Sequence, residues 1–222
     1  MRWDWTYQLA KLRVISRGER MEMIPPAPEV IPEPAILVLG RFQPLHKGHT
    51  FLLRKAIEFR DEHHPSTTFR IMVGSSNIEQ SPENPWTWEE RVELLQIWLK
   101  SEQVNHSEVL AVPDLGDPQN WVSHAENWHG KSGILVSSND STTTLYEESG
   151  WQVHTVSLTE RDTFEGWRVR QNLLMLSTLN NPDALKEVMS ITLEPIIIDW
   201  LLEDDFRIRR LAFLGPKVEH VG

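Results

Sequence analysis

The sequence contains no cysteine. Disulfides and thiolate zinc sites are therefore excluded, and a cytoplasmic location fits. Long apolar runs are missing as well. The longest, Ala35–Leu39 and Ile196–Ile198, fall far short of the ~20 residues that span a bilayer, so no membrane partner is expected. The first residues lack a basic-then-apolar stretch ending in a small-residue cleavage site, and no secretory signal is read there. Positive charge is scarce: 22 Lys and Arg stand against 32 Asp and Glu, a net charge of −10. Such a surface repels phosphate backbones at long range, so nucleic acid is not an expected partner. Any anion must be held by local N–H groups and a few placed cations.

What remains is the composition of an ordinary globular chain, 222 residues with 40% hydrophobic and 24% charged side chains, enough for one domain with tails. Residues 1–34 read as a leader: a basic stretch with two tryptophans, then the Pro-rich Ile24–Pro34, which cannot be helical and is expected to be extended or disordered. A small docking helix within residues 1–22 is the alternative. From Ala35 the pattern changes to short apolar runs alternating with helical periodicity. Strands are expected at Ala35–Leu39, Phe69–Val73, Val109–Val112, Gly133–Ser137 and Gln152–Val156. Helices are expected at Gly48–Arg60, from Thr87 with Glu90 completing a capping box, at Asn120–Trp128 and at Ser141–Glu148. After a polar loop at Thr159–Asp162, two or three more helices follow. The expected fold is α/β: a Rossmann-like, doubly wound, parallel five-stranded sheet with helices on both faces, spanning residues 35–180, with a helical extension over 181–222. In such sheets ligands bind beyond the carboxyl ends of the strands, and here polar loops follow strands one, two and three.

The loop after strand one, Gly40–His49 (GRFQPLHKGH), is the most informative segment. Gly40 permits a turn without a Cβ, and Pro44 stiffens it. His46 and His49, three apart at a helix start, can face one side. A helix N-terminus draws phosphate through free N–H groups and its dipole, and two imidazoles with Arg41 make a donor-rich pocket. A metal pair or simple capping would also use histidines at this spacing. No third ligand stands at informative spacing, and the adjacent Gly and Arg favour phosphate; no metal site is expected.

GRFQPLHKGH resembles the (H/T)xGH motif of the nucleotidyltransferase superfamily, and its GRFQP form is most similar to archaeal-type nicotinamide mononucleotide (NMN) adenylyltransferases. Three further stretches resemble that family, in order: Gly74-Ser75-Ser76 with Glu83-Asn84-Pro85, Thr87, Glu90 and Arg91; Val112-Pro113-Asp114 with Trp121 downstream; and Ser137-Ser138-Asn139. The resemblance covers Ala35 to Leu176. It implies that ATP and NMN are the substrates and NAD and pyrophosphate the products, with Mg²⁺ carried on the ATP phosphates, and that the chain forms homo-oligomers. It further implies His46, His49 and Arg170 as catalytic, and Gly40, Arg41, Phe42, Gly48 and Asn139 around ATP. Asp114, Asn84 and a nicotinamide-stacking Trp121 are implied around the acceptor. The second phosphate motif departs from the family's (I/Y)SGTxxR. Across Thr163–Arg170, Gly166 and Arg170 match, but Glu165 and Trp167 stand where hydroxyl residues are usual. Glu165 pointing inward would repel phosphates; at a helix start it would instead favour the dipole. Two alternatives stay open: transfer to another phosphorylated acceptor, and a nucleotide-binding regulator without turnover.

Overall fold

The structure is a computed structural model and describes residues 25–158 and 164–214. The leader up to residue 24, the loop expected at Thr159–Asp162, Thr163 of the second motif, and residues 215–222 lie outside the described residues.

Five parallel strands form one sheet in the order β3-β2-β1-β4-β5: β1 Ile36–Gly40, β2 Phe69–Val73, β3 Ser107–Ala111, β4 Ile134–Ser137 and β5 Gln152–Thr155. The register pairs Ile36 with both Phe69 and Ile134, so β1 is central. Being covered on both faces, β1 and β2 are almost wholly buried, which is why they read as apolar runs rather than alternating ones, broken only by Arg70 in β2. The sheet edge is different. β3 begins two residues before the expected Val109, at polar Ser107 and Glu108, because Glu108 pairs with the Arg70 guanidinium of β2.

Eight helices occur among the described residues. On one face lie α1 (Lys47–His63) and α2 (Trp88–Ser101). On the other lie α3 (Trp121–His129) and α4 (Asp140–Glu148). Leu53, Ala56, Leu95 and Trp98 of α1 and α2 meet Ile36, Val38, Ile71 and Val73, whereas Leu37 and Leu135 meet Val122 and Tyr146 on the opposite side. Burial of each such large side chain contributes about 1.5–3 kcal/mol. The expected doubly wound sheet is present.

Four helices, not two or three, follow β5: α5 (Gly166–Leu176), α6 (Pro182–Met189), α7 (Pro195–Glu203) and α8 (Phe206–Phe213). Pro182 and Pro195 each occupy a first helical turn, where a missing N–H costs nothing, and so restart the helix after a break. Residues 181–214, expected as an extension, bury Leu185, Ile197, Trp200 and Leu211 in the same core as α1 and α2. Residues 25–34 have no regular structure but are tied down. The Pro25 carbonyl accepts from Trp128 Nε1, and the Glu33 carbonyl from Arg70. No helix among the described residues is long and apolar enough to cross a membrane.

Candidate active site

A cleft of about 870 Å³ opens at the carboxyl ends of the strands, where the order reverses between β1 and β4. The loop after β1 forms its floor. Phe42 is buried with φ of +50°, and its ring folds back over Gly40, where a Cβ would lie 2.9 Å from the ring tip. The Gln43 side chain reaches the loop before α2, donating to the Trp86 carbonyl at 2.8 Å and accepting from the Trp86 N–H at 3.1 Å.

His46 is the N-cap of α1, its Nδ1 accepting from the His49 N–H at 3.4 Å. That bond fixes a neutral tautomer with the proton on Nε2, the nitrogen left to face the cleft. Capping and ligand donation are thus compatible in one residue. Burial, then His49 and Arg170, pushes His46 down to about 2. Burial also lowers His49 to about 4, with Arg41 adding to it and the Pro44 carbonyl opposing it. Both rings are neutral at pH 7. His49 Nδ1 is buried without a partner among the described residues, a cost tolerated where a ligand supplies the bond. Gly48 lets the chain pass beneath Phe164: a Cβ there would lie 2.8 Å from the Phe164 Cβ.

Arg170, on the first turns of α5, donates to the Gln43 carbonyl at 2.7 Å and so sits over the histidine pair. Among the described residues neither Arg41 nor Arg170 has a carboxylate partner, and burial followed by Arg41 lowers the Arg170 pKa. Among the described residues of a strongly acidic protein, two guanidiniums without an ion-pair partner and two neutral imidazoles thus stand around one cleft, with Glu83 acting on Arg170 only from a distance. That arrangement suits a polyanion.

The remaining walls come from the other strand ends. Ser75 Oγ donates to Asp114 Oδ2 at 2.7 Å, and Asn77 holds the Asp114 backbone from both sides. Trp121 opens α3, its ring tilted 58° to that of Tyr146 with centres 6.1 Å apart. Asn139 caps α4 through Oδ1 and borders the cleft with Ser138. The structure thus brings His46, His49, Arg170, Gly40, Arg41, Phe42, Gly48, Asn139, Asp114 and Trp121 to one cleft. Asn84 is not among the lining residues; its N–H bonds Ser81 in the β2–α2 loop. Glu165 is turned to its own helix, where Oε2 accepts from Trp167 Nε1 and Arg168 Nε. Its charge is thereby engaged rather than left facing phosphates.

Several contributors escape a reading of motifs. Arg91, 3% exposed, donates to the carbonyls of Arg41, Gly74, Ser75 and Thr87, joining the β1–α1 loop to both ends of the β2–α2 loop. Lys47, placed between the two histidines, turns away to the Ser190 and Ile191 carbonyls. Glu194 accepts from Thr50, Arg54 and Trp98 at the cleft edge. The family's T-x-x-E-R helix start is the one local signal for any of these, and it pointed to Arg91 without its partners.

The sequence matches the cytidylyltransferase-like family over residues 37–163. It is 26% identical over 159 residues to a nicotinamide-nucleotide adenylyltransferase of Thermoplasma acidophilum, covering 71% of this chain and 86% of the relative. It is likewise 26% identical over 167 residues to nicotinamide-nucleotide adenylyltransferase 1 of Sulfolobus acidocaldarius, covering 74% and 91%. Among solved structures, a bifunctional NMN adenylyltransferase/ADP ribose pyrophosphatase from Francisella tularensis superposes with a TM-score of 0.54 at 20% identity. That match covers 83% of this chain and 58% of the longer neighbour, and it bears on the fold alone.

Proposed function

Because the chain belongs to the cytidylyltransferase-like family, we propose that it is a nicotinamide-nucleotide adenylyltransferase, converting ATP and NMN to NAD and pyrophosphate. The observation that supports this reading is the stacked His46–His49 pair beside Arg170, a set of neutral and cationic groups with no carboxylate in ion-pair contact among the described residues. The names of the archaeal relatives supply the acceptor.

In this reading an oxygen of the NMN 5′-phosphate attacks the α-phosphorus of ATP. The new P–O bond forms as the bond between the α-phosphorus and the bridging oxygen to the β-phosphorus breaks, and pyrophosphate leaves with that electron pair. The nucleophile is already an anion, so no general base is required. Rate then comes from in-line positioning and from donors placed where charge collects on the leaving group. His46 Nε2–H, His49, Arg41 and Arg170 are proposed to hold the triphosphate, with Asn139 toward the adenosine. Asp114 and Trp121 are proposed to hold NMN.

The carboxylates at the cleft are each engaged elsewhere: Asp114 by Ser75, Glu165 by Trp167 and Arg168, Glu194 by Arg54 and Thr50. Among the described residues no three His, Asp or Glu side chains gather to hold an ion. A divalent cation, proposed to be Mg²⁺, fits this site when carried on ATP oxygens and water. It supplies neutralisation of phosphate charge.

The test is incubation of purified protein with ATP, Mg²⁺ and NMN, following NAD. NAD formation supports the reading. Turnover with another phosphorylated acceptor alone would sink the choice of NMN, and ATP binding without turnover on any acceptor would identify a regulator.

A further inference from the structure

Position 167, where the family's second phosphate motif has a hydroxyl residue, carries an indole that cannot serve as a phosphate donor. Its one N–H is spent on Glu165 Oε2 at 2.7 Å. The same carboxylate oxygen takes Arg168 Nε at 3.1 Å, and the Arg168 guanidinium lies over the ring, 4.8 Å from its centre. The three side chains form one unit: the carboxylate fixes the ring's edge and the cation covers part of its surface. Nevertheless Trp167 is 47% exposed, and it borders the cleft. A large apolar side chain held in one orientation at a cleft edge, with much of its surface uncovered, is prepared to receive a flat partner at little entropic cost.

The fold says which partner. Trp167 is one residue after Gly166, where a Cβ would lie 3.3 Å from Arg170 Nη1 and 3.9 Å from His46 Nε2. It therefore stands beside the polyanion donors, on the segment that follows β5 at one edge of the sheet. Asp114 and Ser75 lie after β3 and β2, toward the opposite edge. Were phosphates held by His46 and Arg170, the base attached to them would be the flat group nearest to Trp167. The aromatic side chain Phe164 adjoins it on the same segment.

We propose that Trp167, clamped by Glu165 and Arg168, is the stacking wall for the base of the nucleoside triphosphate. Affinity lost with the motif's hydroxyls is replaced by contact with the base. This inference rests on the nucleotidyl-transfer reading and deepens it. Stacking is tolerant of base identity, so Trp167 raises affinity more than it selects adenine over guanine.

Calorimetric titration of the full chain with Mg-ATP, Mg-GTP and inorganic tripolyphosphate tests it, because tripolyphosphate has the phosphates without the base. Trp167→Ala is expected to weaken ATP and GTP binding by about ten- to a hundredfold and to leave tripolyphosphate unchanged. Trp167→Phe should keep most of the nucleotide affinity. Trp167→Leu, apolar and bulky without a ring, should behave like the alanine variant and guards against a folding artefact. Unchanged ATP binding in both the Ala and Leu variants would overturn the proposal. So would an equal loss of ATP and tripolyphosphate, which would put Trp167 with the phosphates. Wild-type protein that binds neither ATP nor tripolyphosphate would sink the nucleotidyl-transfer reading itself.

Discussion

The imidazoles of His46 and His49 stack with their centres 3.7 Å apart and their planes 22° from parallel. At that separation a proton on one ring opposes a proton on the other, and His49 is second only to burial among the causes that depress His46. The pair is therefore neutral at pH 7.

The two histidines should separate by substitution. His49→Ala is expected to reduce turnover by at least about a hundredfold, the usual loss when a preorganised donor to developing charge is removed. His46→Asn retains an N-cap for α1 but loses the Nε2 donor, so the protein should unfold near the wild-type temperature yet turn over slowly. Steady-state NAD formation beside thermal unfolding checks both. A near-normal rate in a folded His49→Ala protein would remove that histidine from the mechanism.

Arg91→Lys should look conservative and behave otherwise. The guanidinium spans the carbonyls of Arg41, Gly74, Ser75 and Thr87, and an ammonium is a point donor that cannot reach all four. Unpaired carbonyls in a buried site should cost about 2–4 kcal/mol. Because the Arg41 and Ser75 loops face the substrates, affinity for both should fall. Denaturant unfolding and the two KM values report this, and a stability loss under about 0.5 kcal/mol would contradict the proposed joint.

Local patterns revealed the strand–loop–helix around Gly40–His49 and the capping box of Thr87 and Glu90, because each is written within a few consecutive residues. Contacts between distant residues left no such trace. Gln43 meets Trp86 across 43 positions, and Thr50 meets Glu194 across 144. No spacing rule connects them, so the loop's supports were invisible until the chain was folded. The fourth C-terminal helix was missed for a related reason. Short helices restarted by Pro182 and Pro195 offer too few turns for a clear period. Glu165 was legible as a departure from the family motif, but its harmless orientation depended on Trp167 and Arg168, whose mutual geometry no motif encodes.

Stability should fall steeply in mild acid. Burial lowers His46 to about 2, and His49 and His129 to about 4, while the unfolded chain titrates near 6.5. The unfolded state therefore binds more protons below pH 6.5. The stabilisation from these groups is complete above that pH and is lost as the pH drops toward 4. Each histidine contributes a slope of about 1.4 kcal/mol per pH unit, and the three together about 4. Unfolding temperatures between pH 7.5 and 4.5 measure it, and His49→Gln should reduce the slope by about a third. A flat profile down to pH 5 would show that the rings are not buried as neutral groups.

Glu194 joins the C-terminal helices to the phosphate loop, and its removal should be felt in the chemistry as well as in stability. Its carboxylate accepts from Thr50 Oγ1 at 2.6 Å, one residue beyond His49, and from Arg54 at 2.7 and 3.0 Å. Burial would raise its pKa, but the Arg54 and Thr50 hydrogen bonds outweigh that and hold it below the usual range. The backbone of the same segment meets the loop too, the Thr192 carbonyl accepting from the Lys47 N–H at 2.9 Å. Glu194→Gln keeps the shape and removes the charge, so it should cost about 1–2 kcal/mol and lower kcat/KM for ATP by roughly tenfold through small displacements of His49. Thr50→Val removes the other half of the contact. If the two act as one support, the double variant should be little worse than the worse single variant, a coupling of about 1 kcal/mol in both stability and kcat/KM. Strict additivity would mean that Glu194 serves Arg54 and Trp98 and leaves the first turn of α1 to hold itself.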